Sequence, residues 1–166
     1  SDDYINIGNE ANLNLSTNLS ISVWVKFTSA TITGVNGLFG KWDSVTGSGN
    51  QKGYFLAVLD DEKLYFYTSS NGSNATAVSS PVLTDLDKWN HFTVTYNAGA
   101  VTFYRNGVSI GTGTGESSIF ASSANAYIGA YQNGLNLVNG EMSKVQVFNN
   151  TLTATEVKEL YSGASV

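Results

Sequence analysis

Apolar and polar residues alternate along most of this chain with a period of two. In Leu19-Ser20-Ile21-Ser22-Val23-Trp24-Val25-Lys26-Phe27 every odd position is apolar and only Trp24 interrupts the polar face, as in a strand with one side on a core. Similar runs recur at 37–42, 53–59, 63–69, 89–96, 101–105, 127–131 and 142–148. Turn-forming residues divide them: Asp60-Asp61-Glu62, and five Asn-Gly pairs beginning at Asn36, Asn71, Asn106, Asn133 and Asn139. Asn-Gly suits type I′ hairpin turns, whose two central residues need positive φ, so the spacing predicts many short antiparallel strands. One segment, 153–161, reads as a helix: Thr153 and Glu156 have the spacing of a capping box, Val157, Leu160 and Tyr161 share a face, and Gly163 stops it. Strands without helices between them, apolar on both faces in part, predict an all-β sandwich of two antiparallel sheets about 10 Å apart with one short C-terminal helix. The longest stretches without strand pattern, 43–52 and 111–125, are too short for interdomain linkers. Residues 1–166 therefore read as one domain, and the opening Ser1-Asp2-Asp3-Tyr4 suggests a module of a larger protein.

Composition narrows the partners. The net charge is −5, and the eight Lys and Arg residues are scattered, which argues against nucleic acid or an anionic membrane surface. No apolar stretch approaches the 18 to 20 residues of a membrane span, so membrane insertion is not expected. With no cysteine, disulfides, thiolate catalysis and Cys-based zinc sites are excluded together. Ser, Thr and Asn supply 20, 16 and 18 residues, a surface solvated by hydroxyls and amides. That surface favours an extracellular, cell-surface or virion-surface setting, although absence of cysteine fits the cytoplasm equally well. The five Asn-x-Ser/Thr sequons, at Asn14, Asn18, Asn71, Asn74 and Asn149, would matter only on a eukaryotic secretory route.

The stretch "KWNHFTVTYNAGAVTFYRNG" (88–107) resembles the laminin-G-like, concanavalin-A-like jelly-roll family, whose members carry a Trp-x-His-aliphatic strand, a short turn and an aromatic strand ending in Asp/Asn-Gly. "DYINIG", "LSISVWVKF", "GLFGKW", "GYFLAVLDDEKLYFY", "AYIGAYQNG" and "GEMSKVQVFNNTLTATEVKELY" resemble, in order, further pieces of the same family. The resemblance implies a concanavalin-A-like jelly roll. It also implies a non-catalytic recognition module that binds glycan or a surface protein and that often holds Ca2+. Near-identical architecture hosts glycoside hydrolases, so function has to be argued from residues.

Glycoside hydrolysis needs two carboxyl groups facing each other across about 5 to 10 Å. The Glu-x-Asp-x-(x)-Glu strand of jelly-roll glucanases is missing, and the acidic clusters fall in the 60–62 turn and the terminal helix, so no catalytic residues are expected. His91, the single histidine, shares a face with Trp89, Thr93 and Thr95, and a packing role is expected for it, as for Trp24 and Trp89. For calcium, the resemblance points to Asp2 and Asp3 on the first strand. The matching final-strand position, where relatives often carry Asp, is Ser143 here, followed by Lys144; Asp43 with Asn50, and Asp85 with Asp87, are the alternatives. Glycan binding uses aromatic faces beside amide-rich loops. Trp42 with Asp43 and Asn50, and Tyr131 with Asn133 and Asn136, meet that description. Tyr65 and Tyr67 share a strand face that either points away from the core or lines a concave sheet. The expected function is carbohydrate recognition; the alternative is a structural or adhesion module contacting protein.

Overall fold

Why the alternation yields two sheets is visible in which residues each strand turns inward. In the computed structural model, which describes residues 3–44 and 50–163, the chain runs β1 (Ile5–Gly8), β2 (Asn18–Phe27), β3 (Asn36–Asp43), β4 (Gln51–Val58), β5 (Leu64–Gly72), β6 (Thr76–Ser79), β7 (Asn90–Asn97), β8 (Ala100–Arg105), β9 (Val108–Thr114), β10 (Ala126–Ile128), β11 (Gly140–Phe148) and α1 (Ala154–Ser162). Strands β1-β10-β3-β4-β5-β6 form one sheet and β11-β2-β7-β8-β9 the other, and every pairing is antiparallel. The odd residues of β2, Leu19 to Phe27, face Phe92, Val94 and Tyr96 of β7 and Leu56 and Phe66 of the opposite sheet in one buried cluster. Burial of these side chains, about 1.5–3 kcal/mol each, supplies the main favourable term.

The helix follows its sequence signature. Thr153 accepts from the Glu156 amide at 3.3 Å, and Glu156 returns the bond to the Thr153 amide at 2.7 Å. Gly163 closes the helix in the left-handed conformation. Val157 is buried and, with half-buried Leu160, packs on Tyr104, Leu152 and Phe148, so α1 lies on the outer face of the five-stranded sheet.

Two strands escape the alternation. β9 falls partly in the stretch 111–125 that reads as loop, because Gly111 and Gly113 break its pattern. A Cβ at Gly113 would stand 2.2 Å from Val78 Cγ1, so the strand needs glycine where β6 lies against it. β6 is four residues long, too short for periodicity. The Asn-Gly reading holds at one hairpin only: Asn106 (φ 51°) and Gly107 (φ 78°) join β8 to β9. Asn36-Gly37 lies inside β3, Asn71-Gly72 ends β5, Asn133-Gly134 sits in a short 3-10 helix and Asn139-Gly140 opens β11. At those places tertiary pairing overrides the local turn preference. The β7–β8 turn uses Ala98 (φ 44°) and Gly99 instead.

Candidate functional site

The outer face of the six-stranded sheet carries an aromatic platform. Because Tyr54, Leu56 and Val58 of β4 and Leu64 and Phe66 of β5 face the core, the period of two turns Phe55, Ala57, Tyr65 and Tyr67 outward. Phe55 lies opposite Tyr67 and Ala57 opposite Tyr65 across β4–β5. Trp42 of β3 and Tyr131 complete the platform. Phe55 meets Tyr131 edge-on at 4.9 Å and Tyr67 at 6.0 Å, Trp42 meets Tyr67 edge-on at 6.1 Å, and Tyr65 stacks on Tyr67 at 5.9 Å. Edge-to-face and offset contacts of this kind hold the rings in place.

Glycine makes the platform possible. A Cβ at Gly40 would stand 2.6 Å from Phe55 Cδ2, and one at Gly37 would stand 2.5 Å from the Tyr131 amide nitrogen. β3 thus leaves room for the Phe55 ring and for the backbone at Tyr131 to cross it. The Trp42 indole donates to the Tyr131 hydroxyl at 2.8 Å, and the Ser44 hydroxyl bonds to that same oxygen. The Ser44 amide donates to Gln132 Oε1 at 2.6 Å.

Between these rings lies a groove of about 290 Å³ lined by Val35, Trp42, Phe55, Tyr67, Tyr131 and Asn136. Phe55 and Trp42 form its buried floor, while Tyr67 and Tyr131 are half-buried and Asn136 is exposed. None of the lining residues is a carboxylate. At the far end of the platform the Tyr65 hydroxyl donates to Asp61 Oδ2 at 2.9 Å, and Lys63 Nζ lies 3.0 Å from the same oxygen. Burial acts to raise the Asp61 carboxyl, but the bonds from Lys63 and Tyr65 outweigh it and hold the group below the usual carboxylate range. Burial, with Tyr65 and Asp61 nearby, pushes the Tyr67 phenol up, so its hydroxyl stays protonated at neutral pH. Asp61 Oδ1 is buried and accepts no hydrogen bond among the described residues.

Of the six residues expected to bind ligand, the structure brings Trp42, Tyr131 and Asn136 together in this groove. Asp43 and Asn50 do not line it, and the Asn133 side chain lies outside the described residues. Trp42 is buried rather than presented, because its indole is committed to Tyr131. Phe55 and Val35 were missed. The outward parity of Phe55 could be read from the β4 alternation, but nothing local says that Val35 reaches the same groove.

The residues expected at a metal sit elsewhere. Asp3 and Ser143 line a groove of about 470 Å³ between the edge strands β1 and β11, together with Tyr4, Ile5, Met142 and Lys144; Asp2 lies outside the described residues. The described side chains there supply one carboxylate and one hydroxyl beside an ammonium, where calcium would take six to eight oxygens in all. Among the described residues no three His, Cys, Asp or Glu side chains cluster as a metal site. Asp85 is bonded to Lys88 at 2.6 Å.

His91 is buried, as expected. Its Nε2 lies 2.7 Å from the Ser22 hydroxyl, its ring leans on Trp24 at 5.2 Å, and Nδ1 has no partner among the described residues. Burial first, and the Lys144 charge second, push it down to about 4. Trp24 packs against Tyr161 of α1, 5.6 Å away and stacked. Trp89, just ahead of β7, departs from the packing expectation: it is 42% exposed.

A family model described as the concanavalin A-like lectin/glucanases superfamily matches residues 1–158. No curated protein matches significantly by sequence. Among solved structures, the chain is similar to a native heptameric SAP-like pentraxin from Limulus polyphemus (21% identity, 88% of this chain and 70% of that one, TM-score 0.63). It is also similar to the Ruminococcus gnavus IT-sialidase CBM40 bound to α2,3-sialyllactose (15%, 96% of both chains, TM-score 0.70). A third similar structure is the binding domain of Paraclostridial Mosquitocidal Protein 1 (16%, 96% of this chain and 41% of that one, TM-score 0.71). Identities this low carry the fold and no more. Among the described residues no helix is long and apolar enough to cross a membrane.

Proposed function

The chain belongs to the concanavalin A-like lectin/glucanases superfamily, and from that premise we propose that it is a non-catalytic, carbohydrate-binding module. The observation that carries this reading is the groove of Trp42, Phe55, Tyr67 and Tyr131 with the Asn136 amide at its rim. Pyranose rings present apolar C–H faces that stack on aromatic faces, and the amide completes hydroxyl recognition. A lining without carboxylates offers no acid–base pair for glycosidic cleavage. The pre-formed ring contacts reduce the ordering cost of binding. The glycan-bound carbohydrate-binding module among the similar structures supports the same reading. The setting that suits such a module is extracellular, on a cell or virion surface, within a larger protein.

A glycan array, read with and without calcium, tests the proposal. Tyr67→Ala removes one of the two half-buried rings that line the groove and is expected to lower affinity for any captured glycan about fivefold or more. No glycan captured in either condition, or a hit indifferent to Tyr67→Ala, would overturn it. The rival reading, a protein-contact module, is favoured by the burial of Trp42 and by the apolar groove beside β1, where Ile5 is 59% exposed.

A further inference from the structure

We propose a second, separate ligand site on the other outer face of the sandwich, built from Trp24, Trp89, Ser143 and Lys144, that takes a pyranoside bearing a carboxylate. These four residues line a groove of about 260 Å³. It lies on the five-stranded sheet, part of whose outer face is covered by α1, and shares no residue with the groove around Tyr67.

Register brings the parts together. Ser143 of β11 lies opposite Trp24 of β2, and Trp24 lies opposite His91 of β7. Trp24 is fixed from behind, stacked on Tyr161 and leaning on His91, while Trp89 stands exposed beside it. An exposed tryptophan next to a held one presents the kind of rigid apolar surface that stacks on sugar C–H faces.

Lys144 supplies the charge. Between Ser143 and Gln146 the register with β2 slips, so that Lys144 and Val145 oppose the single residue Val23. Lys144 takes φ 47°, a left-handed conformation that a lysine adopts only where the surroundings impose it. Bulges re-aim side chains, and this one places an exposed ammonium at the mouth of the groove. Lys144 forms no ion pair among the described residues, whose pairs are Lys26–Glu141, Lys63–Asp61 and Lys88–Asp85. No carboxylate stands among the residues that line this groove, so the Lys144 ammonium beside two indoles favours an anion over a neutral sugar there, although the chain as a whole is acidic. One ammonium and one hydroxyl match the single charge of a carboxylate; a phosphate monoester brings closer to two charges and calls for more donors. Ser143 and Lys144 also line the 470 Å³ groove past Met142 and Ile5, which carries the Asp3 carboxylate as well, so a further sugar that continues there from the first would be a neutral one.

The test is an NMR titration of the isotope-labelled protein with methyl β-glucuronide, methyl α-sialoside and, as the neutral control, methyl β-glucoside, following the three tryptophan indole signals. The Trp24 and Trp89 signals are expected to shift saturably with at least one acidic probe, about tenfold more tightly than with the glucoside. Lys144→Gln should remove that preference. Trp89→Ala should remove binding here while any shift of the Trp42 indole at the first site persists. The proposal is overturned if neither acidic probe moves the two indoles, if the glucoside binds as well, or if Lys144→Gln leaves the preference intact. Failure of the Tyr67 site would leave these outcomes readable, since the two sites share no residue.

Discussion

His91 gives the sharpest quantitative expectation, because it is the single histidine and sits under α1. In the folded protein its ring is held to about 4, whereas an unburied histidine titrates near 6.5. The folded state therefore binds the proton less readily than the unfolded state. The resulting stability is fully present above pH 6.5 and is lost progressively as pH falls through 4, below which both states are protonated. A gap of about 2.5 at about 1.36 kcal/mol per pH unit comes to about 3 kcal/mol, a large share of a typical domain's 5–15 kcal/mol. Ser22, Trp24, Tyr161 and the Lys144 charge surround the ring, and none of them is a carboxylate that would welcome the proton. Urea unfolding of the native chain and of His91→Gln, followed by tryptophan fluorescence at pH 7, 6, 5 and 4, measures the effect. Carboxylates such as Glu156 and Asp85, held low by their partners, lose their own contributions at the acid end in both proteins, so the difference between the curves isolates His91. The native chain should lose about 3 kcal/mol more than the variant between pH 7 and 4. Parallel curves, or an imidazole NMR signal titrating near 6.5, would refute the reasoning.

Further expectations follow from single contacts. Thr153→Ala removes the side chain that accepts from the Glu156 amide and should cost about 1 kcal/mol in urea unfolding; an unchanged midpoint would mean that α1 is held by Val157 alone. Gly40→Ala drives a Cβ to 2.6 Å from Phe55 Cδ2 and should cost about 1–3 kcal/mol, visible as a lowered melting temperature together with altered Tyr67 and Tyr131 signals. Phe66→Ala, at a fully buried ring, should cost about 3–5 kcal/mol. Calcium at millimolar concentration, compared with EDTA, should leave the melting temperature within about 1 °C if Asp3 and Ser143, beside Lys144, are the side chains that meet it; a rise of several degrees would support a bound ion.

The sandwich was legible where alternation was clean. β2, β4 and β7 announce their inward faces residue by residue, and α1 carries both of its caps in the sequence. β9 was not legible, because the glycines that let it approach Val78 are the residues that break a periodic pattern. The site was half legible. Trp42, Tyr131 and Asn136 come together as their chemistry suggested, and the outward parity of Tyr67 was readable from "KLYFYT". What could not be read is which polar atoms remain available: Trp42 looks like an exposed ring beside a loop until the hydrogen bond to Tyr131 is seen. Asp43 follows Trp42 directly, yet it does not line the groove, because adjacent positions on a strand face opposite sides; Asn50, eight residues on and just ahead of β4, does not line it either. Lys144 illustrates the converse. Its importance depends on a register slip between β2 and β11, which no local pattern encodes.

The bond from the Trp42 indole to the Tyr131 hydroxyl, which itself is shared with Ser44, also decides what kind of selectivity the platform can have. With both polar handles already spent inside the protein, Tyr131 offers a partner only its flat surface and the buried Trp42 holds that surface in place. On the proposed reading, such a surface would distinguish sugars by whether one face is free of axial substituents, and discrimination by the order of hydroxyls would fall to the Asn136 amide alone. Individual encounters with it should be brief and nearly indifferent to ionic strength, so that prolonged attachment would come from several copies engaging a repetitive polymer at once.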